Sequence, residues 1–87
     1  MQISLFYAPY CSSCRRIRPI LRRFVESQPE TLALRELDVV DHLDEAVGAG
    51  VLRTPAVVID GKVRLAGAIT EAALNALLRE LRPSEPT

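Results

Sequence analysis

The sequence has no excess of charge of either sign, because its 11 lysines and arginines balance its 11 aspartates and glutamates. General binding to nucleic acid or to an anionic membrane surface typically requires a strong excess of basic residues. No apolar run approaches the roughly 20 residues that are needed to span a bilayer. We therefore expect no nucleic acid and no membrane among the partners.

The start of the sequence lacks the features of a secretory signal peptide. Met1, Gln2 and Ile3 lead directly into a strand-like pattern, with no basic segment and no small-residue cleavage site. We therefore expect a cytoplasmic protein. In that compartment cysteines seldom form structural disulfides and more often take part in catalysis or metal binding.

Cysteine is scarce, since the chain contains only Cys11 and Cys14, and both follow a short apolar segment at the predicted start of a helix. The free N–H groups of a helix start favour the thiolate form of a cysteine placed over them. Cys14 lies one helical turn deeper, where it can attack a mixed disulfide formed on Cys11. The spacing predicts reversible dithiol chemistry, with Cys11 as the nucleophile and Cys14 as the resolving thiol.

The length of 87 residues allows one domain, which we place at residues 1–82, followed by a tail at residues 83–87. Hydrophobic periodicity predicts strands at residues 2–8, 32–40, 56–59 and 62–66, and a helix at residues 12–27 that continues through Pro19. Asp60 and Gly61 predict a hairpin turn with positive φ at both positions. The predicted order is β-α-β-α-β-β-α, with the first two strands parallel and the last two antiparallel.

Two further helices complete this order. Asp41 is the predicted N-cap of a short helix, which Gly48 and Gly50 should end. Thr70 is the predicted cap of a final helix before Pro83, with an apolar face at Leu74, Leu77, Leu78 and Leu81. His42, the single histidine, lies at the start of the short helix, where we expect a solvated polar side chain.

Charge is distributed unevenly along the chain. Residues 1–25 contain five arginines and no acidic residue, whereas residues 26–50 contain seven acidic residues and one arginine. The outer face of the helix that follows the cysteines is therefore predicted to be basic. Two interpretations are open, namely a surface that stabilises the thiolate and attracts acidic partners, or an ordinary solvated helix face.

Cys11, Cys14, Pro19, Thr54 and Pro55 together resemble the thioredoxin and glutaredoxin superfamily, and the similarity runs from about residue 3 to residue 81. The resemblance implies an α/β thioredoxin-like fold, in which a four-stranded mixed sheet is flanked by helices. It also implies a helix-kinking proline at Pro19 and a cis proline at Pro55 that faces the cysteines. Tyr10 occupies the position where thioredoxins commonly carry tryptophan. Two roles are open for it, namely shielding the thiol and contacting substrate, or plain packing. The resemblance implies a substrate groove shaped by Tyr10, Thr54 and Pro55.

The electron donor is left open by the departures from this pattern. Many glutaredoxins hold glutathione with a Gly-Gly pair followed by acidic residues, where this chain has Ala-Gly-Ala-Ile-Thr at residues 66–70. Ala8 stands where those proteins often carry a basic residue, three positions before the first cysteine. The reductant implied is either an enzyme of the thioredoxin-reductase type or glutathione.

Two functions are consistent with these observations. The first is a dithiol-disulfide oxidoreductase that acts as a monomer, without cofactor or metal, on disulfide-containing proteins or small thiols. The second is a metal or iron-sulfur binding module, in which the cysteines supply two ligands and a dimer or external thiols supply the rest.

Overall fold

The computed structural model describes residues 2–27 and 32–81. The elements follow the predicted order. They are β1 (Gln2–Tyr7), α1 (Ser12–Glu26), β2 (Ala33–Asp38), α2 (Leu43–Ala49), β3 (Ala56–Ile59), β4 (Lys62–Ala66) and α3 (Glu71–Leu81). The predicted tail at residues 83–87, with Pro83, and the side chain of Leu81 lie outside the described residues.

The four strands form one mixed sheet in the order β2-β1-β3-β4. β1 runs parallel to β2, with Leu5 opposite Glu36, and antiparallel to β3, with Leu5 opposite Val57. β3 and β4 form an antiparallel hairpin with a register shift between Val57 and Val58. This arrangement confirms the predicted thioredoxin-like fold. It also places the segment that contains both cysteines at the end of a central strand.

Alternating side chains of β1 divide the apolar core between the two faces of the sheet. Ile3 and Leu5 are fully buried in one cluster with residues of α1 and α3, among them Leu21 and Leu74. Phe6 is fully buried in a second cluster. Its other buried members are Leu37, Ala46, Ala56 and Val58. α1 and α3 therefore cover one face of the sheet, and α2 covers the other.

Local turn chemistry explains several boundaries. Asp60 and Gly61 have φ values of 53° and 77°, which confirms the hairpin turn predicted at these residues. The Thr70 hydroxyl accepts a hydrogen bond from the Ala73 N–H at 3.0 Å, as predicted for a cap of α3. Gly50 ends α2 in the left-handed region with φ 86°. Pro19 lies inside α1, which continues through it to Glu26.

The start of α2 differs from the prediction, because its N-cap is His42 rather than Asp41. Asp38 closes a turn that the sequence pattern does not reveal. Its carboxylate accepts a hydrogen bond from the Val40 N–H at 2.8 Å, and its carbonyl accepts bonds from the N–H groups of residues 41 and 42. This turn also ends β2 at Asp38, two residues earlier than predicted. Gly48 lies within α2 instead of ending it.

Glu36 anchors α1 to the sheet. It lies opposite Leu5 in the parallel register, on the face that α1 covers, and its side chain is 18% exposed. The carboxylate accepts hydrogen bonds from Arg18 Nε at 2.8 Å and from Arg22 Nη2 at 2.9 Å. The Arg18 guanidinium also lies 4.0 Å from the centroid of the Tyr7 ring, a cation-π contact. The helix that carries the cysteines is thus fixed laterally on β1 and β2.

Acid should weaken this anchor. Partial burial by itself raises the pKa of Glu36, but hydrogen bonds and charge from Arg22 and Arg18 outweigh it and hold the pKa below its usual range. Glu36 therefore stabilises the folded state above the pKa of an unfolded glutamate, about 4.3. This contribution is lost as the pH falls through the lower pKa of the folded state.

We therefore expect Glu36→Gln to lower stability at neutral pH and to reduce the loss of stability that acid causes. The measurement is the urea midpoint at several values between about pH 7 and about pH 3. Glu80→Gln is the matched control, because Glu80 lies 3.6 Å from Arg64 in a largely exposed pair. Parallel pH profiles for the wild type and Glu36→Gln would contradict the proposed anchor.

Candidate active site

Cys11 and Cys14 lie at the junction between β1 and α1 and are joined by a disulfide bond, with their Cα atoms 5.2 Å apart. Cys11 is half-buried, whereas Cys14 is only 1% exposed. The difference follows from the helix, because Cys14 lies on the same buried side of α1 as Ile17 and Leu21. An incoming molecule can therefore approach the sulfur of Cys11 more readily than that of Cys14.

Cys11 is the N-cap residue of α1. Its backbone is extended, with φ −110° and ψ 108°, and its sulfur accepts a hydrogen bond from the Cys14 N–H at 3.2 Å. The first turn of α1 contains no acidic residue. After reduction of the disulfide, the same N–H group and the positive end of the helix dipole would stabilise a thiolate on Cys11.

The loop before β3 brings Thr54 and Pro55 to the cysteines. The sulfur of Cys11 lies 3.9 Å from both the carbonyl oxygen and the hydroxyl oxygen of Thr54. The peptide bond between Thr54 and Pro55 is cis, as the resemblance implies, and Pro55 is buried. The carbonyl of Pro55 accepts a hydrogen bond from the Gly67 N–H at 2.9 Å, which ties this loop to the segment before α3.

Tyr10 occupies an unusual position beside Cys11. Its side chain is 101% exposed, and its backbone has φ 60°, in the left-handed region that non-glycine residues rarely adopt. Such a conformation costs about 1–3 kcal/mol and is found mostly at functional sites. Full exposure excludes a packing role for the ring, which is left available to a bound molecule.

Two arginines lie near the site, and of these only Arg53 was not singled out from the sequence. Arg16 donates a hydrogen bond from Nη2 to the carbonyl of Ile69 at 3.0 Å. The guanidinium of Arg53 lies over Gly67, with Nη1 3.4 Å from where a Cβ would stand. The basic character of residues 1–25 was a signal for Arg16, but no local pattern places Arg53 at this loop.

The other candidate centres lie elsewhere or are not formed. His42 is exposed at the start of α2 and makes no capping hydrogen bond. Across residues 2–27 and 32–81, no group of three or more His, Cys, Asp or Glu side chains is arranged to hold a metal ion. A cavity of about 520 Å³ lies beside α2, and its lining, which includes Ser4 and Arg35, contains neither cysteine.

The helices in the described part of the chain are all too short or too polar to cross a membrane.

Comparison with known proteins identifies relatives along most of the chain. A family model described as thioredoxin domain matches residues 1–79. The thioredoxin of Methanocaldococcus jannaschii is 27% identical over 74 residues, which cover 85% of this chain and 87% of the relative. The thioredoxin of Listeria monocytogenes is 32% identical over 60 residues. That match covers 67% of this chain but only 58% of the longer relative.

Solved structures agree with these matches. A mutant thioredoxin from Halobacterium salinarum is 26% identical, with a TM-score of 0.76, over 98% of this chain and 77% of that one. Mitochondrial thioredoxin 3 from Saccharomyces cerevisiae, in its oxidised form, is 25% identical with a TM-score of 0.75, over 92% and 77% of the two chains. With its paired cysteines at the start of α1 and a cis proline in the loop that reaches Cys11, the chain belongs to the thioredoxin family of thiol-disulfide oxidoreductases.

Proposed function

We propose that this protein reduces disulfides in other proteins, with Cys11 as the attacking thiol and Cys14 as the resolving thiol. The observation that carries this proposal is the asymmetry of the pair. The sulfur of Cys11 is half-buried at the N-cap and accepts the Cys14 N–H, whereas Cys14 is 1% exposed beneath it. A nucleophile must be reachable and ionisable, and a resolving thiol only needs to reach its neighbour.

The exchange proceeds in two steps. The thiolate of Cys11 attacks one sulfur of the substrate disulfide, which forms a mixed disulfide and releases the other substrate sulfur as a thiolate. Cys14 then loses its proton and attacks the sulfur of Cys11, which closes the Cys11–Cys14 disulfide and releases the second substrate thiol. Two electrons pass from the dithiol to the substrate, and the protein finishes in the disulfide form.

The substrate groove is proposed to run along Tyr10, Thr54 and Pro55. Thr54 offers a carbonyl and a hydroxyl 3.9 Å from the reacting sulfur, where both can hydrogen-bond an extended substrate segment. Tyr10 directly precedes Cys11 and offers an exposed ring. Contacts of this kind suit an extended segment of a protein that carries the disulfide.

The electron donor is proposed to be an enzyme of the thioredoxin-reductase type rather than glutathione. The segment at residues 66–70 lacks the acidic residues that glutaredoxins use, and the relatives described above are thioredoxins. We also propose that the protein works as a monomer in the reducing environment of the cytoplasm, where a dithiol of this kind is kept ready to react.

The test is a turnover assay with a reducible protein disulfide and catalytic amounts of the protein. Two donor systems are compared, namely NADPH with a thioredoxin reductase and NADPH with glutathione and glutathione reductase. We expect turnover that saturates with substrate, and faster recycling by the thioredoxin reductase. Faster recycling by glutathione would overturn the proposed donor while leaving the dithiol chemistry intact.

Metal analysis of protein purified without oxygen accompanies this assay. Stoichiometric zinc or iron together with absent turnover would favour the metal-binding module instead. In that case the protein should also run as a dimer in size-exclusion chromatography, because the two cysteines alone cannot complete a four-coordinate site.

A further inference from the structure

We propose that Arg16 and Arg53 form a cationic subsite that makes the protein prefer disulfide substrates with an acidic residue next to the reacting cysteine. This inference rests on the proposed function and adds the substrate class. The observation behind it is that Arg16 hydrogen-bonds the same three-residue loop, Gly67 to Ile69, over which the Arg53 guanidinium lies. Gly67 is bonded in turn to Pro55, the neighbour of Thr54, whose oxygens lie 3.9 Å from the Cys11 sulfur.

Arg53 reaches this loop from the strand side. It directly precedes Thr54, whose carbonyl and hydroxyl oxygens lie 3.9 Å from the Cys11 sulfur. Its guanidinium extends over Gly67, and Gly67 in turn donates its N–H to the carbonyl of Pro55 at 2.9 Å. The side chain is exposed, so its charge lies in solvent rather than in the core.

Arg16 reaches the same loop from the helix side. It lies two residues after Cys14, and its Nη2 donates to the carbonyl of Ile69 at 3.0 Å. The Ile69 N–H donates to the carbonyl of Gly67 at 2.9 Å, so the loop is compact. The residue that Arg16 bonds and the residue over which Arg53 lies are two positions apart. The remaining N–H groups of both guanidinium groups can still donate to a ligand.

The charges of these two arginines are not neutralised within the described part of the chain. The ion pairs found there join Arg18, Arg22, Arg35 and Arg64 to carboxylates, and neither Arg16 nor Arg53 takes part in one. Glu71 begins α3 close to the loop in sequence but forms no ion pair with either arginine. The loop side of the groove therefore carries uncompensated positive charge.

The spacing of residues in an extended substrate segment determines which substrate side chain lies near Arg53. If a substrate segment lies along Thr54, its neighbouring residues follow at about 3.3 Å per residue. A side chain one or two positions from the substrate cysteine then passes Arg53. A carboxylate at that position would accept hydrogen bonds from a guanidinium fork, whereas a lysine would be repelled.

The experiment uses three disulfide-linked peptides that differ only in whether Glu, Gln or Lys adjoins the cysteine. kcat/KM is measured for the wild type at low salt and at high salt. We expect the Glu peptide to exceed the Gln peptide by about threefold to fivefold at low salt, because exposed ion pairs have effects of this size. The preference should shrink at high salt, and the Lys peptide should be slowest.

Three variants locate the effect. Arg53→Gln should move the ratio of the Glu peptide to the Gln peptide towards one, whereas Arg53→Lys should retain most of it. Arg79→Gln is the matched control, since Arg79 lies in the last turn of α3, about 12 Å along the helix from its start. It should leave the ratio unchanged.

Failure of this inference can be distinguished from failure of the proposed function. If the wild type reduces the Gln peptide but shows a ratio of one, only the cationic subsite is contradicted. A wild-type preference that survives unchanged in Arg53→Gln would overturn it as well, because the residue beside the substrate cysteine is argued to pass Arg53. If the wild type reduces none of the peptides, the result contradicts both the proposed function and this inference.

Discussion

Replacement of Cys11 by serine is expected to lower disulfide reduction by about a hundredfold or more, to the uncatalysed background. A serine hydroxyl is not ionised at neutral pH and cannot form a mixed disulfide. Cys14 cannot take over the attack, because it is only 1% exposed on the buried side of the first turn of α1. The measurement is steady-state turnover of a protein disulfide under saturating reductant.

The Cys14→Ser variant tests the other half of the mechanism. Cys11 keeps its position at the N-cap and the backbone hydrogen bond from residue 14, so attack should proceed. Without the second thiol the mixed disulfide cannot resolve, and intact mass should show a covalent adduct on Cys11. Wild-type turnover by Cys11→Ser, or a mixed disulfide trapped on Cys14 in that variant, would refute the assignment of the two roles.

Leu5→Ala is expected to lower the free energy of unfolding by about 2–5 kcal/mol, the usual cost of truncating a fully buried leucine. Leu5 is 0% exposed and packs in the cluster that joins β1 to α1 and α3. For a domain of this size such a loss is a large part of a total stability of about 5–10 kcal/mol. The measurement is urea unfolding followed by circular dichroism.

The same substitution at Leu52 is the matched control, because Leu52 is 92% exposed in the loop before β3. Its free energy of unfolding should stay within about 0.5 kcal/mol of the wild type. Similar losses for Leu5→Ala and Leu52→Ala would show that the core does not lie between β1 and α1.

Local signals in the sequence predicted the features that depend on neighbouring residues. The Asp60-Gly61 turn, the Thr70 cap and the order of the elements all follow from residue type and periodicity within a short window. The superfamily resemblance added the cis bond before Pro55, which local preference alone leaves undecided. The family and the fold could therefore be identified before the structure.

Contacts between distant parts of the chain could not be predicted in this way. The Asp38 turn that shifts the start of α2 depends on how β2 ends beside β1. Glu36 meets Arg18 only because the parallel register places it under α1, 18 residues away in sequence. Arg53, just before β3, likewise lies over Gly67 only because β3 pairs with β4. Side-chain pairing of this kind follows from tertiary packing, which periodicity does not encode.

The most direct test of the central claim is a redox titration of the wild-type protein in glutathione buffers, followed by acid quenching, thiol alkylation and intact mass. The proposed chemistry predicts one transition between the dithiol and the Cys11–Cys14 disulfide, with a two-electron slope of about 30 mV per tenfold change in the ratio. Thiols that never interconvert across the whole range would contradict it.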